Sequence, residues 1–293
     1  MVALPFSLFP RGLRVVALAL LLTLSSLAGL AHAAPGPLML DDAVPHMEAW
    51  PAVSLLRDPD GHLDAATLAA APDRFAAPQG AYATLGMEKG VVWVRIPVRT
   101  APDANGAWAL KVDFGLLNRV DLYLVRDGRI ERHALAGSER TLARAPDALG
   151  GPVPSFALRL APDAVYDVLL RVETNGPKIL PISFEKPGAF YQAALHDRLV
   201  QGILTGLFLC LLLYSLAQWV NLREILFAKY ALLIGGLAMY NVAWWGLGAE
   251  YLWGASGWAT VHATGIISLM TSCGAYLFVG SALTRPGVDP SCS

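Results

Sequence analysis

The chain has 293 residues, 55% of them hydrophobic and 15% charged, with a formal net charge of -1 and a mean hydropathy of +0.48. That hydropathy excludes an ordinary soluble protein, and the near-balanced charge excludes a basic nucleic-acid footprint. Its three cysteines, Cys210, Cys273 and Cys292, all fall in the apolar carboxyl-terminal part, so the region before them has neither a disulfide framework nor a cysteine metal site.

The first element is a targeting segment. Arg11 and Arg14 form a basic start, "VVALALLLTLSSLAGL" an apolar middle, and "AHA" at Ala31 to Ala33 a small-residue cleavage motif. Residues 1–33 therefore read as a signal peptide, with an uncleaved anchor as the alternative, and the following domain is expected to be exported.

From residue 34 to 190 the hydrophobic period is two. Val92, Val94, Ile96 and Val98 share one face of their strand, as do Trp108, Leu110, Val112 and Phe114, and then Val120, Leu122 and Leu124. The same alternation returns at Phe156 to Leu160, Val168 to Val172 and Leu180 to Phe184. Each run predicts a half-buried strand, and "RDGR" at Arg126 to Arg129 predicts a tight hairpin between two of them. "DAATLAAAPDRF" predicts a short helix capped by Asp64. Strands with one apolar face each predict an all-β, antiparallel sandwich of about 160 residues, large enough to fold without staples.

The opposite face of these strands carries Trp93 with Arg95, Lys111 with Asp113, and Arg119 and Asp121 with Tyr123. Aromatic rings beside charged groups suit a sugar-like or other polar ligand, since a ring stacks while polar groups fix hydroxyls or a carboxylate. An ordinary solvated face, or a Trp covered by a neighbouring loop, is the competing reading.

Three apolar helices follow, expected at about 199–220, 225–247 and 258–283. Only Arg223, Glu224, Lys229 and Glu250 are charged between Leu199 and Thr284. About 20 residues of helix cross a bilayer, so each segment predicts a span. Trp219, Trp244, Trp245, Trp253 and Trp258 stand at span ends, as interfacial aromatics do. Gly202 and Gly206 form a G-x-x-x-G that predicts close approach of another helix. Export of the first domain puts Arg223 and Lys229 inside, with a short cytoplasmic tail at 285–293.

"SLLRDPDGHLDAATLAAAPDRF", "GVVWVRIPV", and the span sequences "GILTGLFLCLLLYSLAQWVNLREILFAKYALL" and "GLGAEYLW" together resemble the bacterial seven-transmembrane receptors with diverse intracellular signalling modules. The resemblance covers the type 2 extracellular domain and the first three helices. It implies a jelly-roll-like periplasmic domain that binds carbohydrate or related small molecules, in the bacterial inner membrane, coupled to a cytoplasmic output. It places the W-x-R pattern on Trp93 and Arg95, and a further arginine on Arg144. It also implies four more helices and an output module, where this sequence instead ends in "TRPGVDPSCS".

The function expected from these readings is a sensory receptor module, and the alternative is a membrane-anchored module that binds another protein or an envelope polymer. No catalytic motif such as G-x-S-x-G or H-E-x-x-H occurs, so no enzyme, cofactor or metal is expected. The expected ligand-binding residues are Trp93, Arg95, Asp121, Tyr123 and Arg144. Expected partners are a small-molecule or carbohydrate ligand, the lipid bilayer, and a second copy or a separate cytoplasmic signalling protein, with no nucleic acid.

Overall fold

The computed structural model describes residues 36–79, 82–137, 149–253 and 257–283. The expected signal peptide, Arg144 and the tail at 285–293 lie outside the described residues.

The alternating runs form strands because each can bury one row of side chains and wet the other. They are β1 (Leu38–Leu40), β2 (His46–Glu48), β3 (Ser54–Asp58), β4 (Thr84–Gly86), β5 (Val91–Thr100), β6 (Ala107–Val112), β7 (Arg119–Arg126), β8 (Arg129–Ala136), β9 (Ser155–Arg159), β10 (Val165–Glu173), β11 (Lys178–Ile179) and β12 (Ile182–Glu185). One sheet runs β1-β5-β10-β7-β8, with β3 also beside β5; a second runs β2-β12-β6-β9; and β11 pairs with β4. The sheets do not close into a barrel, but they stack as a sandwich. Val92, Val94 and Ile96 of the first sheet meet Trp108, Leu110, Phe156 and Phe184 of the second in one buried cluster. Burying each such side chain is worth about 1.5–3 kcal/mol.

One pair departs from the antiparallel expectation. The β1 strand runs parallel to β5, with Leu38 opposite Val98. It is a three-residue piece that fills the edge of β5 beyond β3, whose own pairing covers only Val91 to Arg95. The β7–β8 hairpin has the form its sequence predicts: Asp127 at φ 49° and Gly128 at φ 72° are both left-handed, as a two-residue turn matched to strand twist requires. Helix α1 (Ala65–Ala69) starts where expected, with the Asp64 carboxylate accepting from the Ala66 N–H at 3.1 Å.

Three helices long and apolar enough to cross a membrane follow. They are α2 (Pro187–Leu222), α3 (Ile225–Trp244) and α4 (Gly257–Leu283), with one π-helical turn at Gly248–Leu252 between the last two. The α3 helix ends three residues before the expected Leu247, because Gly246 takes a left-handed φ of 74°. Arg223 (φ 53°) closes α2 with its N–H on the Trp219 carbonyl at 2.9 Å. Glu224 then caps α3, which makes the expected antiparallel pair.

Among the described residues no helix packs on Gly202 or Gly206. Both are exposed, and a Cβ added at either would meet nothing within 4 Å. Close approach lies between α3 and α4. A Cβ at Gly236 would come 3.0 Å from Thr271 Cα, and one at Gly274 would come 3.0 Å from the Leu233 nitrogen. The α2 helix meets α3 through larger side chains, such as Leu212 beside Gly235, and needs no glycine groove. Lys229 donates to the Ser281 hydroxyl, so it also ties the start of α3 to the end of α4.

Candidate ligand face and its link to the membrane

The strand register assembles the predicted residues on the outer face of the larger sheet. Trp93 lies opposite Arg171, and Arg171 opposite Asp121. One step along, Arg95 lies opposite Leu169, Leu169 opposite Tyr123, and Tyr123 opposite His133. Strand pairing alone thus brings Trp93, Asp121 and Tyr123 into one patch, with Arg95 beside them.

This face is not open. Leu68, Ala65 and Ala69 of α1 pack on it with Trp93, Leu169 and Val125 as a second, smaller core. Trp93 is 1% exposed. The sequence expectation of an indole offered for stacking is corrected here: the short helix roofs it, because Trp93, Leu169 and Val125 form an apolar spot on an otherwise charged face.

Asp121 is fully buried, yet it is not isolated. Arg119 binds it through two nitrogens, at 2.8 and 3.0 Å, and His133 Nε2 stands 3.1 Å away. Arg171 adds a longer contact at 3.6 Å. A buried carboxylate surrounded this way is stable only while its partners remain. Hydrogen bonding to Asp121 in turn holds the Arg119 guanidinium more firmly protonated, against the effect of burial. The Tyr123 ring stacks on His133 at 4.5 Å and tilts against Trp93 at 5.9 Å. Burial, followed by the nearby Asp121 charge, pushes the Tyr123 hydroxyl pKa up, so it stays a neutral donor.

Arg95 pairs with Asp167 at 2.7 Å, both partly exposed. Its Nε is buried and donates to nothing among the described residues. Asp58 lies beneath the same roof. Burial works against its ionisation, but the Leu63 and His62 N–H groups, with help from the Trp93 indole and Gly61, hold its carboxyl below the usual range. The indole contributes as a dipole, without closing a hydrogen bond of good geometry. The accessible chemistry of this face is therefore Arg95, Asp167, Arg119, His133 and the edge of Tyr123.

Sequence reading missed Arg171, Asp167 and His133. Their signal was parity: Asp167, Leu169 and Arg171 occupy the positions between Val168, Leu170 and Val172, which were assigned to the core.

The link from sandwich to membrane is a single residue. The β12 strand ends at Glu185, Lys186 caps the next helix, and α2 begins at Pro187. Proline suits the first helical position because no N–H is needed there. With 36 residues, α2 is about 54 Å long, against about 30 Å of hydrocarbon. Its first dozen residues therefore form a stalk outside the bilayer core. Lys186 fastens the root of that stalk. Its ammonium binds Asp42, donates to Asn105 Oδ1 at 3.1 Å and the Ala107 carbonyl at 3.3 Å, and sits 3.9 Å over the Trp108 ring. That hydrogen bond, with one from the Asn105 N–H, holds the Asp42 carboxyl below its usual pKa. A second contact between sandwich and helices lies past the far end of β6, where the Phe114 ring meets Trp244 of α3 edge-on at 5.9 Å. A Cβ at Gly246 would come 2.7 Å from the Pro152 carbonyl oxygen, so the backbones touch there too.

The family model described as 7TMR-DISM extracellular 2 matches residues 51–186, and the one described as 7TM diverse intracellular signalling matches residues 197–287. No curated protein matches the chain. The first match stops at Lys186 and the second begins inside α2, so the stalk is the segment that joins the two.

Proposed function

The chain belongs to the seven-transmembrane receptors with diverse intracellular signalling modules, and we propose that its sandwich senses a small polar ligand outside the membrane and moves α2 in response. The unbroken path from β12 through Lys186 into α2 carries this reading. A loop would absorb a displacement of the sheet, whereas a capped helix with a locked root passes it on.

The ligand, carbohydrate-like or anionic, docks at the edge of the outer face. Arg95 supplies a directional charge-assisted bond, Tyr123 edges the neighbouring wall, and the buried Asp121 holds Arg119 and His133 in place behind it. Trp93 supports this wall from beneath and does not stack on the ligand. Arg144 belongs to the same proposal on the resemblance alone. The chain sits in the bacterial inner membrane with the sandwich in the periplasm and the α2–α3 turn, bearing Arg223, in the cytoplasm, consistent with the positive-inside rule. Signalling output on the cytoplasmic side, with a second copy or a separate signalling protein as a partner, belongs to the same proposal. The family is one of sensory receptor modules and not of enzymes.

Calorimetry on the full chain in lipid nanodiscs, with a panel of sugars and sugar acids, tests this. Arg95→Ala is expected to weaken the binding of a hit by about 1–3 kcal/mol, the range for unpairing a charged hydrogen bond. Undiminished affinity in that variant would remove the outer face from consideration.

A further inference from the structure

A cavity of about 110 Å³ lies where the sandwich meets the helices, well apart from the outer face. One side is a stripe of α2: Phe190, Ala194, Asp197 and Gln201, at helical spacings of four, three and four residues. The other sides are Trp245 from the turn after α3 and the Lys111–Ser155 end of the smaller sheet.

Gln201 makes this cavity more than a packing defect. It is 5% exposed, and its Oε1 has no hydrogen-bond partner among the described residues. A buried amide oxygen without a donor costs about 1–3 kcal/mol, and such atoms in native proteins are normally met by a ligand or an ordered water. The two cations in the lining, Lys111 and Arg198, already have partners. Lys111 stands 3.2 Å from Asp113, and Arg198 donates to the Tyr251 hydroxyl at 3.1 Å. Beside them the lining offers an acceptor (Gln201 Oε1), the carboxylates of Asp197 and Asp113, and the rings of Phe190, Tyr191 and Trp245. An acceptor, a negative charge and aromatic faces together select a cation that can donate hydrogen bonds. An anion would meet Asp197 and find no donor in Gln201 Oε1.

We propose that this junction cavity binds a protonated amine, with its ammonium on Gln201 Oε1 and Asp197 and its carbon chain against Phe190 and Trp245. Size limits the occupant. A cavity of about 150 Å³ accommodates benzene, so this one takes a short aliphatic amine and not a sugar. Because the cavity touches α2 and the end of α3 at once, an amine bound there holds the stalk against the sandwich. Asp197 and Trp245 stand at the membrane surface, so the ammonium comes either from a free amine or from the headgroup of an ethanolamine lipid.

The test uses the full chain in neutral sugar-detergent micelles, with n-butylammonium as the probe and saturation-transfer NMR as the readout. Binding of n-butylammonium is expected, with n-butanol and butyrate about tenfold weaker or absent. Asp197→Asn and Gln201→Leu are each expected to weaken the probe about tenfold. Asp197 lies on the partly exposed stalk, so its variant keeps the test valid if Gln201→Leu fails to fold. Adding phosphatidylethanolamine, against phosphatidylglycerol as control, separates the sources. Displacement of the probe by the ethanolamine lipid alone assigns the site to a headgroup, and no displacement assigns it to a free amine. Equal binding of butanol, no binding of the amine, or affinity unchanged in Asp197→Asn overturns the proposal.

Discussion

On β5, Val92, Val94, Ile96 and Val98 point into the sandwich, while Trp93 and Arg95, one residue out of phase, point away from it. Both faces are largely withdrawn from water, but by different means. The inner face is covered by a second sheet and is apolar throughout, so the register of every strand is fixed by burial. A five-residue helix covers only part of the outer face, and there a buried Asp121 is ringed by Arg119, Arg171 and His133, with Arg119 and His133 reaching the surface. The difference shows what each face is for: the inner one holds the fold together, and the outer one holds charges in fixed positions near the surface.

Trp93→Ala cuts deepest into this distinction. If the roof is a true second core, the substitution costs about 3–5 kcal/mol, as for other buried aromatics. It should then match or exceed Ile96→Ala on the inner face in urea unfolding. An open, solvated Trp93 would lose less than about 0.5 kcal/mol. Asp121→Asn comes next. It strips the counter-charge from two arginines, and breaking a buried pair costs about 3–5 kcal/mol. A change below about 1 kcal/mol in denaturant titration would mean that water reaches this cluster.

Lys186→Met probes the join between the inner core and the membrane. It leaves Asp42 with only the Asn105 N–H and takes the ammonium from the Ala107 carbonyl, and a loss of about 1–3 kcal/mol is expected in thermal unfolding. The effect should depend on pH in a defined direction. The Asp42 carboxyl is held below its ordinary value of 3.8 by Lys186 first and Asn105 second. Its stabilising contribution is therefore present above that value and lost as the pH falls through the lower folded-state pKa. Parent and variant should converge as the pH falls below about 4. A gap that stays constant over that range would rule out the carboxylate as the partner that matters.

The smallest contrast concerns the helices. Gly236→Leu is expected to cost about 1–3 kcal/mol by overpacking against Thr271, while Gly202→Leu on the exposed side of α2 is expected to be neutral. Unfolding in mixed micelles distinguishes the two. The reverse order would place the tight contact on α2.

The inner face was legible because alternation reports burial directly, and Val92 to Val98 needed only counting. The helices were legible because length and apolarity suffice for a span. The roof over Trp93 was not, since α1 is five residues long and its position depends on where the chain crosses the sheet. The ion cluster was half legible. Arg119 and Asp121 are two apart on one strand, but Arg171 and His133 join them only through pairing in register. The Gly202 and Gly206 motif states that close approach is allowed without naming the partner. Gly236 and Gly274 show the same licence used on other helices.

The most direct test of coupling between sandwich and membrane is hydrogen–deuterium exchange across residues 188–198 of the full chain in nanodiscs. A continuous helix rooted at Lys186 predicts slow exchange along the whole stalk, faster in Lys186→Met. Exchange of these amides within seconds, as in an unstructured linker, would contradict it, because the sandwich and first span would then move independently.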